Sequence, residues 1–249
     1  MVEKGKVYFI GAGPGDPDLL TVKAQRVLSQ AQTVVYAGSL LRQEVLSLAP
    51  EGALLWDSHG RTLEEIVEVL AEGARKGQIV ARLHSGDTAF YSALNEEAAA
   101  LRSRGLPYEV IPGVSSASLG AARMGIELTA PEVAQTVIFT RLGGRTPGPR
   151  LEDLKEWARP EVTLVLFLSV HRAEEIQRAL LEKLPPETPV VVAEKLGFPE
   201  ERLLWGKLAE LSQMVSEAGI RRTALIYVGQ ALEAASTPQK TRSRLYARS

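Results

Sequence analysis

The sequence predicts an α/β fold: two α/β domains, with mostly parallel and mixed sheets, enclosing a cleft. Three observations carry this expectation. Short β-branched runs alternate with helical patterns through the first half, as expected where helices cover both faces of a parallel sheet. A second set of strand-like runs follows Pro112-Gly113 and outnumbers simple strand–helix pairs, which predicts a mixed sheet there. The chain has 249 residues, enough for two units of roughly 100–150 residues each.

Val7 to Ile10 reads as a buried strand, followed by the turn Gly11-Ala12-Gly13-Pro14-Gly15. A helix over Val22 to Gln30 starts behind Thr21, a good N-cap. Thr33 to Tyr36 is the second strand. Leu63, Ile66, Val67, Leu70 and Ala74 recur at helical spacing, with Thr62 and Glu65 as a capping box and Gly77 as the stop. Ile79 to Leu83 reads as a strand, Phe90 to Arg104 as a helix and Tyr108 to Ile111 as a strand. Beyond these, strands are predicted at Thr136–Phe139, Thr163–Phe167, Pro189–Ala193, Arg202–Trp205 and Ala224–Val228. Helices fall near 151–158, 172–183 and 207–217, and a Gly/Pro/Arg loop spans Arg141–Arg150. The domains are set at 1–115 and 116–236, with a polar basic tail at 237–249 carrying Lys240, Arg242, Arg244 and Arg248. The tail reads as a solvated terminus. No period of 20–50 residues repeats, which argues against a solenoid.

Composition narrows the chemistry. Hydrophobic residues at 45% and charged residues at 24% suit an ordinary globular core that needs no disulfide or metal to hold it. The absence of cysteine excludes thiolate catalysis, iron–sulfur clusters and cysteine-ligated zinc. A formal net charge of -1 supplies no general attraction to nucleic acid or membrane, so neither is expected as a partner. The first residues lack the apolar core of a signal peptide and no later run is long enough to span a bilayer, so a cytoplasmic location is expected. His59, His84 and His171 show no metal-ligand spacing; no protein-bound metal is expected, and each reads first as a packed or exposed side chain.

The glycine turn after the first strand invites a dinucleotide-binding reading, which its spacing opposes. Glycines stand at 11, 13 and 15 rather than in G-x-G-x-x-G. Pro14 and Pro17 remove two N–H donors, and Asp16 and Asp18 place negative charge where a phosphate would sit. No lysine follows to make a Walker loop. A rigid turn shaped only for folding is the plain alternative. Its place at the carboxyl end of a strand favours a ligand site. Two further small-residue loops hold equivalent places: Leu83-His84-Ser85-Gly86-Asp87-Thr88-Ala89-Phe90-Tyr91 and Pro112-Gly113-Val114-Ser115-Ser116. Asp87 could cap the following helix or accept from a hydroxyl.

Together these loops resemble the tetrapyrrole methylase family, whose members methylate precorrins and uroporphyrinogen with S-adenosylmethionine. The resemblance covers V-Y-F-I-G-A-G-P-G-D-P-D-L-L-T (7–21), H-S-G-D-T-A-F-Y (84–91) and P-G-V-S-S (112–116). It continues through Q-T-V-I-F-T-R-L-G-G-R-T-P (135–147), L-F-L-S (166–169) and T-P-V-V-V-A-E-K (188–195). Y-A-G-S-L (36–40) and T-R-L-G-G-R-T-P (140–147) resemble the branch that acts at C11 of precorrin-4 or cobalt-precorrin-4 in corrin synthesis. The resemblance implies a two-domain homodimer that binds S-adenosylmethionine and releases S-adenosylhomocysteine. Carried onto this sequence, the cofactor contacts are Pro14, Ser85, Gly86, Asp87, Phe90, Ser115 and Ser116, with Leu168, Leu196 and Ala224 from the second domain. This chain has Thr88 where relatives often have proline, and Ser92 where they often have glycine. Relatives that methylate uroporphyrinogen carry an aspartate after the second strand's tyrosine and a basic residue near position 59; here these are Ala37 and His59, which counts against that substrate.

Methyl transfer from a sulfonium to an electron-rich carbon needs donor and acceptor held in line, an effect worth ~7–11 kcal/mol. A base could take the proton lost afterwards; Asp16 and His59 are the candidates. Acetate and propionate groups call for arginine forks, and Arg141 and Arg145 stand in a loop placed for that, with Tyr91 against the macrocycle face. The alternatives are methylation of another precorrin position or of uroporphyrinogen III, a protein or RNA acceptor, or a tetrapyrrole-binding protein without turnover.

Overall fold

The computed structural model describes residues 2–144 and 146–235, so the tail expected at 237–249 lies outside the described residues. The chain divides between Ser116 and Ala117 into two compact units.

The first unit contains β1 (Lys6–Gly11), α1 (Val22–Leu28), β2 (Thr33–Tyr36), α2 (Gln43–Leu46), β3 (Leu54–Asp57), α3 (Leu63–Arg75), β4 (Ile79–His84), α4 (Leu94–Ser103) and β5 (Tyr108–Ile111). Its sheet runs β3-β2-β4-β1-β5, with every pairing parallel. The alternation of β1 sorts the two faces. Tyr8 and Ile10 pack with Ala24, Val27 and Leu28 of α1 and Val45 of α2. Val7 and Phe9 pack with Ile66, Val67 and Leu70 of α3 and Ala98 and Leu101 of α4. Burial on both faces is why the central strands read as continuous apolar runs. The capping box of α3 forms as expected: Glu65 N–H donates to Thr62 Oγ1 at 3.2 Å, and Thr62 N–H donates to Glu65 Oε2 at 2.8 Å.

The short helix α2 and two further features differ from expectation. The helix predicted from Phe90 begins at Leu94, because Tyr91 holds φ at 52°, outside the helical region. β3 is a four-residue edge strand whose Leu54 and Leu55 are exposed, so it carried no alternating signal.

The second unit holds α5 (Ser116–Met124, starting at the boundary), β6 (Thr136–Thr140), α6 (Leu151–Trp157), β7 (Val162–Leu166), α7 (Ala173–Leu181), β8 (Pro189–Glu194), β9 (Arg202–Lys207), α8 (Leu211–Glu217) and β10 (Ala224–Val228). Its sheet runs β6-β7-β10-β8-β9; β6 and β7 pair in parallel and the other neighbours antiparallel, so this sheet is mixed. Gly120 on α5 admits Tyr227, whose hydroxyl would stand 2.0 Å from a Cβ there. That hydroxyl donates to Ala117 O at 3.1 Å, and burial pushes its acidity well below that of an ordinary phenol. Among the described residues, no helix is long and apolar enough to cross a membrane.

Candidate active site

Because the first sheet is parallel, its strands end along one rim, and the three loops singled out in the sequence all start there. Past the strands, Ala12 N–H donates to His84 O at 2.8 Å. Gly13 and Gly86 then exchange both backbone hydrogen bonds, at 3.1 and 2.7 Å, an isolated antiparallel bridge that ties the two loops together beyond the parallel β1–β4 pairing. Gly113 closes the group. A Cβ there would lie 2.3 Å from Gly86 O and 2.5 Å from Gly11 O, and one on Gly11 would lie 2.4 Å from Gly113 N. Three loops therefore meet backbone to backbone, through positions where only glycine fits. Gly11 and Gly113 face each other rather than a ligand. Gly86, at φ 71°, is less crowded: the nearest atom to a Cβ there is Ser116 N at 3.9 Å.

Around this junction stand the expected cofactor residues of the first unit, with Tyr91. Pro14 and Ser115 are buried, Ser116 is half-buried and Ser85 is exposed. Asp87 is half-buried and does not cap α4; its Oδ1 accepts from Ala89 N–H at 3.1 Å and from the Thr88 hydroxyl at 3.4 Å. The Phe90 and Tyr91 side chains are exposed, two rings on the rim of a sheet. Asp16 Oδ1 accepts from Asp18 N–H at 3.0 Å, capping the short turn Pro17–Leu19.

His59 is exposed and follows β3, at the far edge of the sheet. Two strands separate β3 from β1, about 14 Å at ordinary strand spacing, so the strands before His59 and Asp16 are not neighbours. Asp57 ties the loops after β2 and β3 together. Its Oδ1 accepts from the N–H groups of Gly38 and His59, both at 2.9 Å, and these bonds, that of His59 foremost, hold its carboxyl below the usual range. A Cβ on Gly38 would lie 2.4 Å from Asp57 Oδ2, so a larger residue there would displace the carboxylate that ties these loops.

Beneath the rim lies a polar cluster the sequence reading missed. Arg82 and Glu97 are 5% and 0% exposed. Arg82 Nε donates to both Glu97 oxygens at 2.9 and 3.1 Å, and Nη2 donates to Oε1 at 2.8 Å. Arg82 Nη1 donates to Ser58 Oγ at 3.0 Å, and that hydroxyl donates to Tyr36 O at 2.9 Å. His84 Nε2 is buried without a hydrogen-bond partner, 3.7 Å from a Glu97 oxygen already engaged by Arg82. Burial first, and the Arg82 charge second, lower the His84 pKa from 6.5 to about 3, so its ring is neutral. The sequence signal was an arginine inside the strand run Ile79–His84 and a glutamate on the inner side of a helix.

The second sheet has a rim of its own. Thr140 lies opposite Leu166, Leu166 opposite Ile226, and Ala224 opposite Glu194. The ends of β6, β7 and β8 and the start of β10 thus share one edge, which brings Arg141, Leu168, Leu196 and Ala224 to the same rim. Leu168 is 62% exposed at φ 53°, and Lys195 and Thr223, each preceding an expected cofactor residue, hold φ 48° and 55°. With Tyr91, four of the five described non-glycine residues at positive φ (the fifth is Glu132) lie on these two rims. Strain of this kind gathers at functional sites. Arg141 Nη2 donates to Pro147 O at 3.3 Å within its own loop, and that loop, with Arg172, lines a cavity of about 390 Å³. Arg145 lies outside the described residues.

A parallel sheet whose carboxyl rim is a junction of glycine-locked loops, without a phosphate-binding loop, places the chain in an α/β class distinct from the dinucleotide binders. The sequence profile of the Tetrapyrrole (Corrin/Porphyrin) Methylases matches residues 6–212. The cobalt-precorrin-4 C(11)-methyltransferase of Methanocaldococcus jannaschii is 40% identical, over 91% of this chain and 88% of its own. The precorrin-4 C(11)-methyltransferase of Pseudomonas aeruginosa is 44% identical, over 92% and 91%. Among solved structures, a cobalt precorrin-4 methyltransferase of cobalamin biosynthesis superposes with a TM-score of 0.88 at 40% identity, covering 92% of this chain and 96% of that one. The uroporphyrin-III C-methyl transferase of Thermus thermophilus in complex with S-adenosyl homocysteine does so with 0.76 at 33% identity, covering 92% and 99%. The chain belongs to the tetrapyrrole methylase family.

Proposed function

We propose that this chain is an S-adenosylmethionine-dependent methyltransferase acting at C11 of precorrin-4 or cobalt-precorrin-4 in corrin synthesis. The names of its 40–44% identical relatives support this reading, and the junction of loops 11–16, 84–91 and 112–116 on one rim is the structural observation that carries it. The rim fits the cofactor: it offers exposed aromatic rings, a half-buried carboxylate at Asp87 suited to an amine or hydroxyl, and no phosphate-binding loop. S-adenosylmethionine, when bound, supplies a methyl group on a sulfonium.

The residues of this chain bind and orient. We assign cofactor contacts to Pro14, Ser85, Gly86, Asp87, Phe90, Ser115 and Ser116, and to Leu168, Leu196 and Ala224. Tyr91, Arg141 and Arg145 are assigned to the macrocycle and its carboxylates. Holding the acceptor carbon in line with the methyl is the main catalytic effect, ~7–11 kcal/mol for well-aligned reactants. Asp16 and His59 remain the proposed holders of the proton lost after alkylation. We also read the protein as a cytoplasmic homodimer, in line with the family resemblance.

The test is incubation with methyl-labelled S-adenosylmethionine and, in separate reactions, precorrin-4, cobalt-precorrin-4 and uroporphyrinogen III, with the label located by NMR. Label at C11 of one of the first two is expected. Label at another position, or on uroporphyrinogen alone, overturns the assignment.

A further inference from the structure

The pair Arg82–Glu97 has no partner among the residues assigned to cofactor or substrate, yet it is the most buried charge in the first unit. A gain in stability is a weak explanation for it. Desolvating two ions costs several kcal/mol, and a buried ion pair often gives no more stability than apolar groups of similar volume. What the pair does supply is fixed geometry. Its three hydrogen bonds of 2.8–3.1 Å join β4 to α4, and its fourth, to Ser58 at 3.0 Å, reaches the loop after β3.

Between Arg82 on β4 and Glu97 on α4 runs the segment 85–93, which forms neither helix nor strand. This segment contains Ser85, Gly86, Asp87, Phe90 and Tyr91, five of the proposed ligand contacts. On one side it is fixed by the backbone exchange between Gly86 and Gly13. On the other it returns through Tyr91, held at φ 52°, into a helix whose first residue, Leu94, stands three before Glu97. A strained residue persists only where its surroundings over-determine it. On that side Ser92 Oγ donates to Thr88 O at 2.7 Å within the segment, and the ion pair fixes the helix into which the segment runs.

We propose that Arg82 and Glu97 are positioning residues: their ion pair sets the conformation of the 85–93 loop and thereby the affinity for S-adenosylmethionine. The inference rests on the methyltransferase reading. The experiment compares the parent with Glu97→Gln, with Arg82→Lys and with the double variant Arg82→Met, Glu97→Met, which leaves no unpaired buried charge. S-adenosylhomocysteine affinity is measured by calorimetry and the midpoint of thermal unfolding by circular dichroism. A loss of tenfold or more in affinity is expected in variants whose midpoints stay within a few degrees of the parent, with KM for S-adenosylmethionine rising more than kcat falls. Parent-like affinity in a folded variant overturns the proposal. So does failure of all three to fold, which would make the pair a requirement for folding alone. A parent that binds no S-adenosylhomocysteine overturns the methyltransferase reading instead.

Discussion

At the scale of single residues, His84 shows how position overrides residue type. It precedes Ser85-Gly86-Asp87 and, as a histidine, could carry charge or transfer protons. Its side chain is 7% exposed, beside Phe9 at 5.9 Å between ring centres, and Arg82 already engages the one carboxylate in reach. The folded pKa of about 3 lies below the ordinary 6.5, so between those values the unfolded chain takes up a proton that the folded chain does not. Stability from this group is therefore complete above pH 6.5 and falls as the pH drops toward 3, by up to about 1.4 kcal/mol per pH unit. Urea unfolding at pH 7, 6, 5 and 4 measures the slope. His84→Gln is expected to flatten it, and an unchanged slope would show that other groups set the acid sensitivity.

At the scale of elements, the rim is decided by how loops pack on one another. Gly113→Ala would place a Cβ 2.3 Å from Gly86 O and force the three loops apart. A destabilisation of about 1–3 kcal/mol is expected, as for overpacked cores, together with a loss of S-adenosylhomocysteine affinity. Gly144→Ala, where a Cβ would meet nothing within 4 Å, serves as the control and is expected to shift stability by less than about 0.5 kcal/mol. Thermal unfolding and calorimetry on both variants check this. Most of these elements were legible in the sequence, because helix and strand periods are local. The α3 capping box was readable from Thr62 and Glu65 alone. β3 was not, since an exposed edge strand shows no alternation, and the start of α4 was displaced by the left-handed conformation of Tyr91, which no side-chain pattern encodes.

At the scale of the whole molecule, a ligand that binds only the folded chain must raise its stability. S-adenosylhomocysteine at 100 times its Kd is expected to add ~2.7 kcal/mol to the unfolding free energy, seen as a raised midpoint in scanning calorimetry. No shift at saturating concentrations would contradict the cofactor reading. The sequence by itself determined the α/β class, the parallel and mixed character of the two sheets, the family, and the three loops that begin at strand ends. These follow from local periods, from turn residues and from motifs that are contiguous in the chain. Tertiary structure alone decided that Gly11, Gly86 and Gly113 touch one another, that Arg82 reaches Glu97 and Ser58, and that Leu168, Lys195 and Thr223 share a strained rim. It also showed that the opening glycine turn has a packing task, with Gly11 and Gly13 locking it to the loops of Gly113 and Gly86. The physical reason is the same in each case. Such contacts join residues far apart along the chain, where steric exclusion and desolvation act between partners that only the folded backbone brings within reach.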